Sequence, residues 1–342
     1  MRILITGAPG QVGFELMHAL RQGHEVIGMG RDRMDLRDSQ AVRRAIRDIR
    51  PDVIVNAAAY TAVDQAESDR ETAHQVNAVA VGVMGEEARR IGAAVIHYST
   101  DYVFDGRKTT PYSPTDAPNP QNVYGQTKLE GEEMLMTSQA AAVILRTSWV
   151  YGLRGKNFLM SVLRQAATKT ELRIVNDQTG SPTWCREIAR ATGAIIHNAL
   201  TGGPGGWSFG GREGVYHLTA RGCTTWLNFA HCAFELLAAR PAPRLIPIAT
   251  GELGAAARRP EYSVLDCSET EKTFNVLMAG WRAALEEVMH NGELSVVLNS
   301  FSPREPSNES LQPPAPPSEQ RADDLRRRRG CGTNGPGNDP AD

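Results

Sequence analysis

Arg2-Ile3-Leu4-Ile5-Thr6-Gly7-Ala8-Pro9-Gly10-Gln11-Val12-Gly13-Phe14-Glu15-Leu16-Met17 joins an apolar, strand-like run to a glycine-punctuated turn and the start of a helical pattern. The G-x-x-G-x-x-G spacing lets the backbone turn tightly at Gly7 and Gly10 and approach a pyrophosphate, and at Gly13 lets the helix lie close to the strand. A helix N-terminus then offers free N–H groups to the anion. With a strand before and a helix after, the stretch predicts a dinucleotide-binding unit in which Gly7, Gly10, Gln11, Val12 and Gly13 face the cofactor; taken alone, the glycines also suit an ordinary strand-to-helix turn.

Outward from this stretch, short β-branched runs alternate with amphipathic ones to about residue 150. Strands are predicted at Arg2–Thr6, His24–Met29, Val53–Asn56, Ala93–Tyr98 and Ala142–Arg146, and helices at Gln11–Arg21, Ser39–Ile49, Arg70–Arg90 and Asn122–Thr137. That alternation gives βαβ units and a doubly wound parallel sheet, an α/β fold of Rossmann type. Such sheets bind ligands at the carboxyl ends of their strands. Residues 151–292 are less regular, mixing strand-like runs (Leu172–Val175, Val215–Leu218, Leu245–Ile248) with helical ones (Arg186–Ala199, Thr225–Ala239, Met278–His290), and read as a smaller substrate-binding lobe. From 293 to 342 the chain turns rich in Pro and Arg, with eight of its 20 prolines at or after Pro303, a composition that predicts a disordered tail.

The 342 residues, 41% hydrophobic and 22% charged, can bury a sizeable core, which excludes fibrous and wholly disordered classes. A net charge of −2 supplies no positive field for nucleic acid or an anionic membrane. No signal peptide and no apolar run of membrane-spanning length is read in the chain. The five cysteines are widely spaced, without C-x-x-C, and predict reduced thiols in a cytoplasmic protein.

The second predicted strand ends at Arg31, where NAD-preferring domains usually place an acid for the ribose hydroxyl. A cation there suits a 2′-phosphate and favours NADPH; neighbouring Asp32 leaves NADH open, and a plain surface arginine is the alternative reading. Asp35 and Leu36 would flank the adenine, and the small side chains of Asn56-Ala57-Ala58-Ala59 would let a nucleotide lie against the sheet edge.

Tyr124-Gly125-Gln126-Thr127-Lys128 opens a helix, so phenol and ammonium share a face one turn apart. A phenol of pKa about 10 is a poor acid-base catalyst at neutral pH, and a nearby ammonium would move it towards the working range. Tyr124 is then a candidate proton donor. A surface Tyr/Lys pair is the competing reading, but the preceding strand ends in Ser99-Thr100-Asp101, whose hydroxyls emerge where a carbonyl substrate would meet the nicotinamide.

The segments Tyr60–Asp64, Ser99–Gly106, Tyr124–Lys128, Arg146–Tyr151, Asn176–Thr183 and Arg258–Pro260, in this order and spacing, resemble the dTDP-4-dehydrorhamnose reductases, a family of extended short-chain dehydrogenases/reductases. The resemblance runs from residue 1 to about 290. It implies NADPH-dependent reduction of the 4-keto group of dTDP-4-dehydro-L-rhamnose to dTDP-L-rhamnose, the last step of dTDP-L-rhamnose biosynthesis. Carried over by position, Tyr124 donates the proton, Lys128 holds the ribose and tunes the phenol, and Thr100 hydrogen-bonds the ketone. Ala57, Ala58 and Tyr60 join the cofactor contacts. Val63, Asp101, Tyr102, Trp149, Asn157 and Arg259 are the implied substrate contacts, with Gln178 and Thr183 as further polar candidates; for Trp149 a core aromatic, and for the polar ones a loop residue serving the backbone, are the alternatives.

Some members of the family hold magnesium at a dimer contact. Glu15 matches one ligand, but Arg186, with Glu187 beside it, stands at the second, so magnesium and that homodimer are in question here and no metal ligand is assigned. An epimerase or reductase of another nucleotide 4-keto sugar, or a non-catalytic regulatory subunit of the same fold, are the competing functions.

Overall fold

Continuous burial from Ile3 to Thr6 makes β1 (Arg2–Thr6) an interior strand of a six-stranded sheet. The structure is a computed structural model in which residues 1–237 and 242–299 are described. The other strands are β2 (Glu25–Met29), β3 (Val53–Asn56), β4 (Ala94–Thr100), β5 (Ala141–Thr147) and the strand Gly214–His217. Their spatial order is β2, β1, β3, β4, β5 and Gly214–His217, all parallel. Near-continuous apolar strands are what a parallel sheet covered on both faces requires.

The alternation of side chains along each strand assigns the two faces. Ile3, Ile5, Val53 and Val55 pack with Leu16 of α1 (Gln11–Ala19) and Ile188 of a long helix, Cys185–Ala199. Leu4 and Ile54 point the other way, onto Val42 and Ile46 of α2 (Ser39–Ile49), and onto Met84 and Leu135 from helices described next. The single helix expected over Arg70–Arg90 is interrupted: after α3 (Val63–Ala66) come α4 (Arg70–His74), a π-helical turn at Gln75–Val79, and α5 (Ala80–Ile91). The turn carries Asn77, whose amide donates to the Tyr60 carbonyl and the Thr127 hydroxyl and accepts from the Tyr60 N–H, pinning the loop after β3.

α6 (Val123–Thr137) follows, capped by Asn122, and then α7 (Phe158–Ala166), capped by Asn157. The long helix Cys185–Ala199 is α8. The run Val215–Leu218, placed by sequence order in the second lobe, is the sixth strand of the main sheet, paired with β5. A separate apolar cluster around Leu159, Trp184, Phe229 and Leu285 forms the core of the later region. Helix Gly292–Asn299 carries the chain past the boundary expected at 292; the rest of the predicted tail, residues 300–342, lies outside the described residues. No helix among the described residues is long and apolar enough to cross a membrane.

Candidate active site

Strand order reverses between β1 and β3, and a cavity of about 460 Å³ opens at their carboxyl ends. Its floor is the glycine turn. Gly7 has φ +64°, and a Cβ there would stand 2.8 Å from the Ala57 carbonyl and the Ala58 backbone. A Cβ at Gly13 would meet the Gly7 carbonyl at 2.1 Å, so only glycine lets α1 sit this close to the turn. Gly10 caps α1 with no side-chain hydrogen bond, which leaves the first N–H groups of the helix to face the cavity. A cradle this tight, headed by uncapped N–H groups, fits a pyrophosphate.

Of the cofactor candidates, Gly7, Gly10, Gln11, Val12, Arg31, Asp35, Leu36, Ala57 and Ala58 line this cavity together with Tyr124 and Lys128, while Gly13 supports it from behind. Tyr60 does not line it: its hydroxyl donates to Asp69 at 3.1 Å, and Thr61 takes the wall position. The Arg31 guanidinium is exposed and makes no hydrogen bond or ion pair among the described residues. Asp35, by contrast, is bound by Arg37 at 2.5 Å, a pairing that holds its carboxyl below the usual range. The exposed Lys156 is a second cation on the rim, unsuspected from sequence because no motif surrounds it.

α6 presents Tyr124 and Lys128 to the same cavity. Asn122 sets the start of this helix, accepting from the Gly125 N–H at 2.8 Å and donating to the Arg258 carbonyl at 2.7 Å. Burial pushes the Tyr124 phenol up to about 12, opposed by a hydrogen bond with Thr100 and reinforced by the charge of Asp101. Lys128 is 1% exposed; its Nζ donates to the Tyr98 carbonyl at 2.6 Å and lies 3.1 Å from His97 Nε2. Burial draws it down to about 8 against the opposing charge of Glu132. The ammonium expected to tune the phenol is tethered to β4, and burial is the dominant influence on Tyr124. A phenol held protonated at neutral pH is the form a proton donor needs.

Thr100 donates to Asp101 Oδ1 at 3.1 Å and accepts from the Tyr102 N–H at 3.1 Å. Burial raises Asp101 to about 7, with the Ser263 and Thr100 hydroxyls pulling the other way. Thr100 is not among the residues that line the cavity; two hydroxyls that do line it, Ser99 and Thr147, are buried and have no hydrogen-bond partner among the described residues. Thr147 was not singled out from sequence. Its signal was its place at the carboxyl end of β5, level with Thr100.

The substrate candidates divide. Arg259 pairs with Asp64 at 2.7 Å, hydrogen-bonds Tyr102, and so brings the loop at 257–259 against Val63-Asp64 at the start of α3. Tyr102 stands edge-on to Tyr124, ring centroids 5.8 Å apart. Arg259 also lines a second cavity, of about 500 Å³, with Arg107, Lys108 and Tyr262. Trp149 has a left-handed backbone (φ +47°), stacks on Trp226 at 3.5 Å with 5° between the planes, and lies against Gly180. Three others serve the protein itself. The Asn157 amide caps α7 and donates to Gln11 Oε1 at 2.8 Å and the Gly152 carbonyl at 2.9 Å. Gln178 is spent on Trp226 and Thr250, and Thr183 on the Ser181 carbonyl and the Ala220 N–H. Each of the three is thus held by protein groups in this structure, and Asn157 is linked to the phosphate turn through Gln11.

Arg186 donates from Nε to Glu15 at 2.9 Å and from Nη2 to Glu293 at 3.1 Å. A guanidinium between the two carboxylates takes the place a divalent cation would need, so these residues do not fit magnesium. No group of three or more His, Cys, Asp or Glu suited to a metal occurs among the described residues. The described cysteines 185, 223, 232 and 267 are free thiols.

Residues 1–293 match the family model described as the RmlD substrate binding domain. The chain is 44% identical over 291 residues to a dTDP-4-dehydrorhamnose reductase of Burkholderia thailandensis, covering 83% of this chain and 97% of that protein. It is 40% identical over 302 residues to the dTDP-4-dehydrorhamnose reductase of Escherichia coli, covering 85% and 97%. Among solved structures, the dTDP-4-dehydrorhamnose reductase of Bacillus anthracis in complex with NADP superposes with a TM-score of 0.77 at 32% identity, covering 84% of this chain and 98% of that one.

Proposed function

The chain belongs to the RmlD substrate binding domain family, and from that premise we propose that it is a dTDP-4-dehydrorhamnose reductase, an NADPH-dependent oxidoreductase that reduces the 4-keto group of dTDP-4-dehydro-L-rhamnose to dTDP-L-rhamnose. The observation that carries this reading is that one cavity holds both the pyrophosphate-sized glycine cradle and the Tyr124/Lys128 pair. Nicotinamide, when bound, supplies the hydride. The chain supplies the rest. Tyr124 gives its proton to the alkoxide oxygen, Ser99 and Thr147 offer buried, unpartnered hydroxyls from the cavity wall to the substrate and the carboxamide, and Thr100 hydrogen-bonds the ketone. Arg31 and Lys156 receive the 2′-phosphate, which favours NADPH over NADH.

On the substrate side, Val63, Tyr102, Trp149 and Arg259 wall the sugar and diphosphate, with Asp101 behind Thr100. Residues 1–150 carry most of the cofactor contacts, joined by Gly155 and Lys156, and residues 151–292 supply the substrate side, tied to the first part by the Arg259–Asp64 pair. Free thiols suit a reducing cytoplasm. The test is oxidation of NADPH with the keto sugar made in situ from dTDP-glucose by its dehydratase and epimerase. Turnover that vanishes without the epimerase supports the reading; turnover that persists without it points to a different 4-keto sugar, and NADPH binding without turnover to a regulatory subunit.

A further inference from the structure

β4 places His97 in the centre of the sheet, 0% exposed, in register with Asn56 on β3 and Ile144 on β5. Its two ring nitrogens have one neighbour each: Asn56 Nδ2 lies 2.9 Å from Nδ1, and Lys128 Nζ lies 3.1 Å from Nε2. Asn56 Oδ1 in turn accepts from Thr6 Oγ1 at 2.5 Å and from the Ala58 N–H at 3.2 Å. Thr6, Asn56 and Lys128 all line the cofactor cavity, so the chain of bonds leaves the cavity wall, passes through His97 of β4 and returns to the cavity at the lysine.

Hydrogen-bond parity makes this chain selective. A neutral imidazole donates from one nitrogen and accepts at the other, and an ammonium only donates. With Lys128 charged, Nε2 must accept, Nδ1–H must donate, and Asn56 must turn its oxygen to His97 and its NH2 to Thr6; the Ala58 N–H then has the Thr6 oxygen, 3.3 Å away. With Lys128 neutral, Nε2–H can donate to the amine and Nδ1 accept from the Asn56 NH2, the state that matches the Asn56 orientation in the structure, whose Nδ2 faces Nδ1. The charged state allows only the Nδ1–H tautomer and turns the Thr6 O–H to the cavity that Thr6 lines; a neutral amine, which both donates and accepts, lifts that restriction, and the Asn56 oxygen held by Thr6 and the Ala58 N–H then favours Nε2–H. His97 itself stays neutral: burial first, then the Lys128 charge, hold it well below its usual range. The charged or titratable neighbours of Lys128 are Glu132 on its own helix, which is paired with Arg146 of β5 at 2.6 Å, and Tyr124 with Asp101 on the cavity side.

We infer that His97 is a positioning residue for the reduction, a tautomeric latch that fixes where the Lys128 amine points and keeps the ring nitrogens and the amine paired in either protonation state. The inference rests on the proposed reductase reading for its catalytic consequence but not for the latch itself. The direct test is the side-chain ¹⁵N spectrum of His97 in the wild-type protein across the titration of Lys128. The latch predicts a neutral ring throughout, protonated on Nδ1 at low pH and on Nε2 at high pH, with the switch absent in Lys128→Met. One fixed tautomer across that range overturns it, whether or not the enzyme turns over keto sugar.

Kinetics supply the second arm. His97→Gln keeps an acceptor for the ammonium and retains turnover on the acid side, whereas His97→Leu loses about tenfold to a hundredfold in kcat with its alkaline limb displaced to lower pH. Loss of kcat in both variants with the limb unmoved would mean a packing role only. A wild-type protein that switches tautomer yet does not reduce the sugar would refute the reductase reading and leave the latch standing.

Discussion

Arg186 of α8 reaches Glu15 of α1 with two nitrogens, at 2.9 and 3.3 Å, and ties the pair to Glu293 in the last described helix. The bridge is partly buried, 24% and 11% exposed, and it occupies the carboxylates that would otherwise be open to a cation. Magnesium chloride or a chelator should leave both the melting temperature and the turnover of the wild type unchanged. Arg186→Ala should cost about 1 kcal/mol or somewhat more in urea unfolding, beyond an exposed pair because the partners are half-desolvated. A magnesium-dependent rise in wild-type stability would show that the guanidinium does not exclude the metal.

Arg31 stands on the cavity rim with no protein partner among the described residues, and Asp35, which also lines the cavity, is held by Arg37. Arg31→Ala should raise the KM for NADPH about tenfold or more, the worth of one charge-assisted contact, and change that for NADH little. Equal effects on the two coenzymes would remove the 2′-phosphate role from Arg31.

Asp101 is raised from 3.8 to about 7 by burial. A group with a raised folded-state value holds its proton more tightly when folded, so its stabilisation is complete below the unfolded value and fades as pH rises through the folded one. Unfolding free energy should accordingly fall between about pH 4 and 7 by up to a few kcal/mol, and Asp101→Asn should flatten that slope. Lys128, drawn down to about 8, acts in a higher window, where stability returns as pH rises from 8 towards 10.5. Chemical denaturation across the two windows separates them.

Glu132 and Arg146 form a bidentate pair with both side chains 4% exposed. Removing one partner strands a charge in the interior, so Glu132→Ala should destabilise the protein by about 3–5 kcal/mol. Replacing both with apolar residues of similar volume should cost clearly less than the two single changes added together. Additive losses in a double-mutant cycle would contradict a coupled pair.

Much of the nucleotide-binding half was legible because its signals are local. β1, β3 and α2 lie at their expected bounds, since a buried parallel strand writes its burial into a run of apolar residues and Asp38 caps α2 through its own side chain. The strand Gly214–His217 was legible as a strand but not as a member of the main sheet, because pairing across some 70 residues leaves no mark in either segment. At the site, the glycine turn and the helical spacing of Tyr124 and Lys128 could be read, as could the special status of Arg186. The direction of the Lys128 ammonium could not: it depends on His97 and the Tyr98 carbonyl from a neighbouring element. The bonds of Asn157 were hidden for the same reason, its amide capping a helix and reaching Gln11 far away in sequence.

The central claim is that one cavity joins the cofactor cradle to a proton-donating Tyr124. Paired measurement of turnover and NADPH affinity in Tyr124→Phe tests it most directly. A phenylalanine keeps the ring and its packing on Tyr102 and loses only the hydroxyl, so kcat should fall by about a hundredfold or more with the NADPH dissociation constant changed less than about threefold. Turnover that survives the substitution, or a loss of NADPH affinity as large as the loss of turnover, would contradict the account.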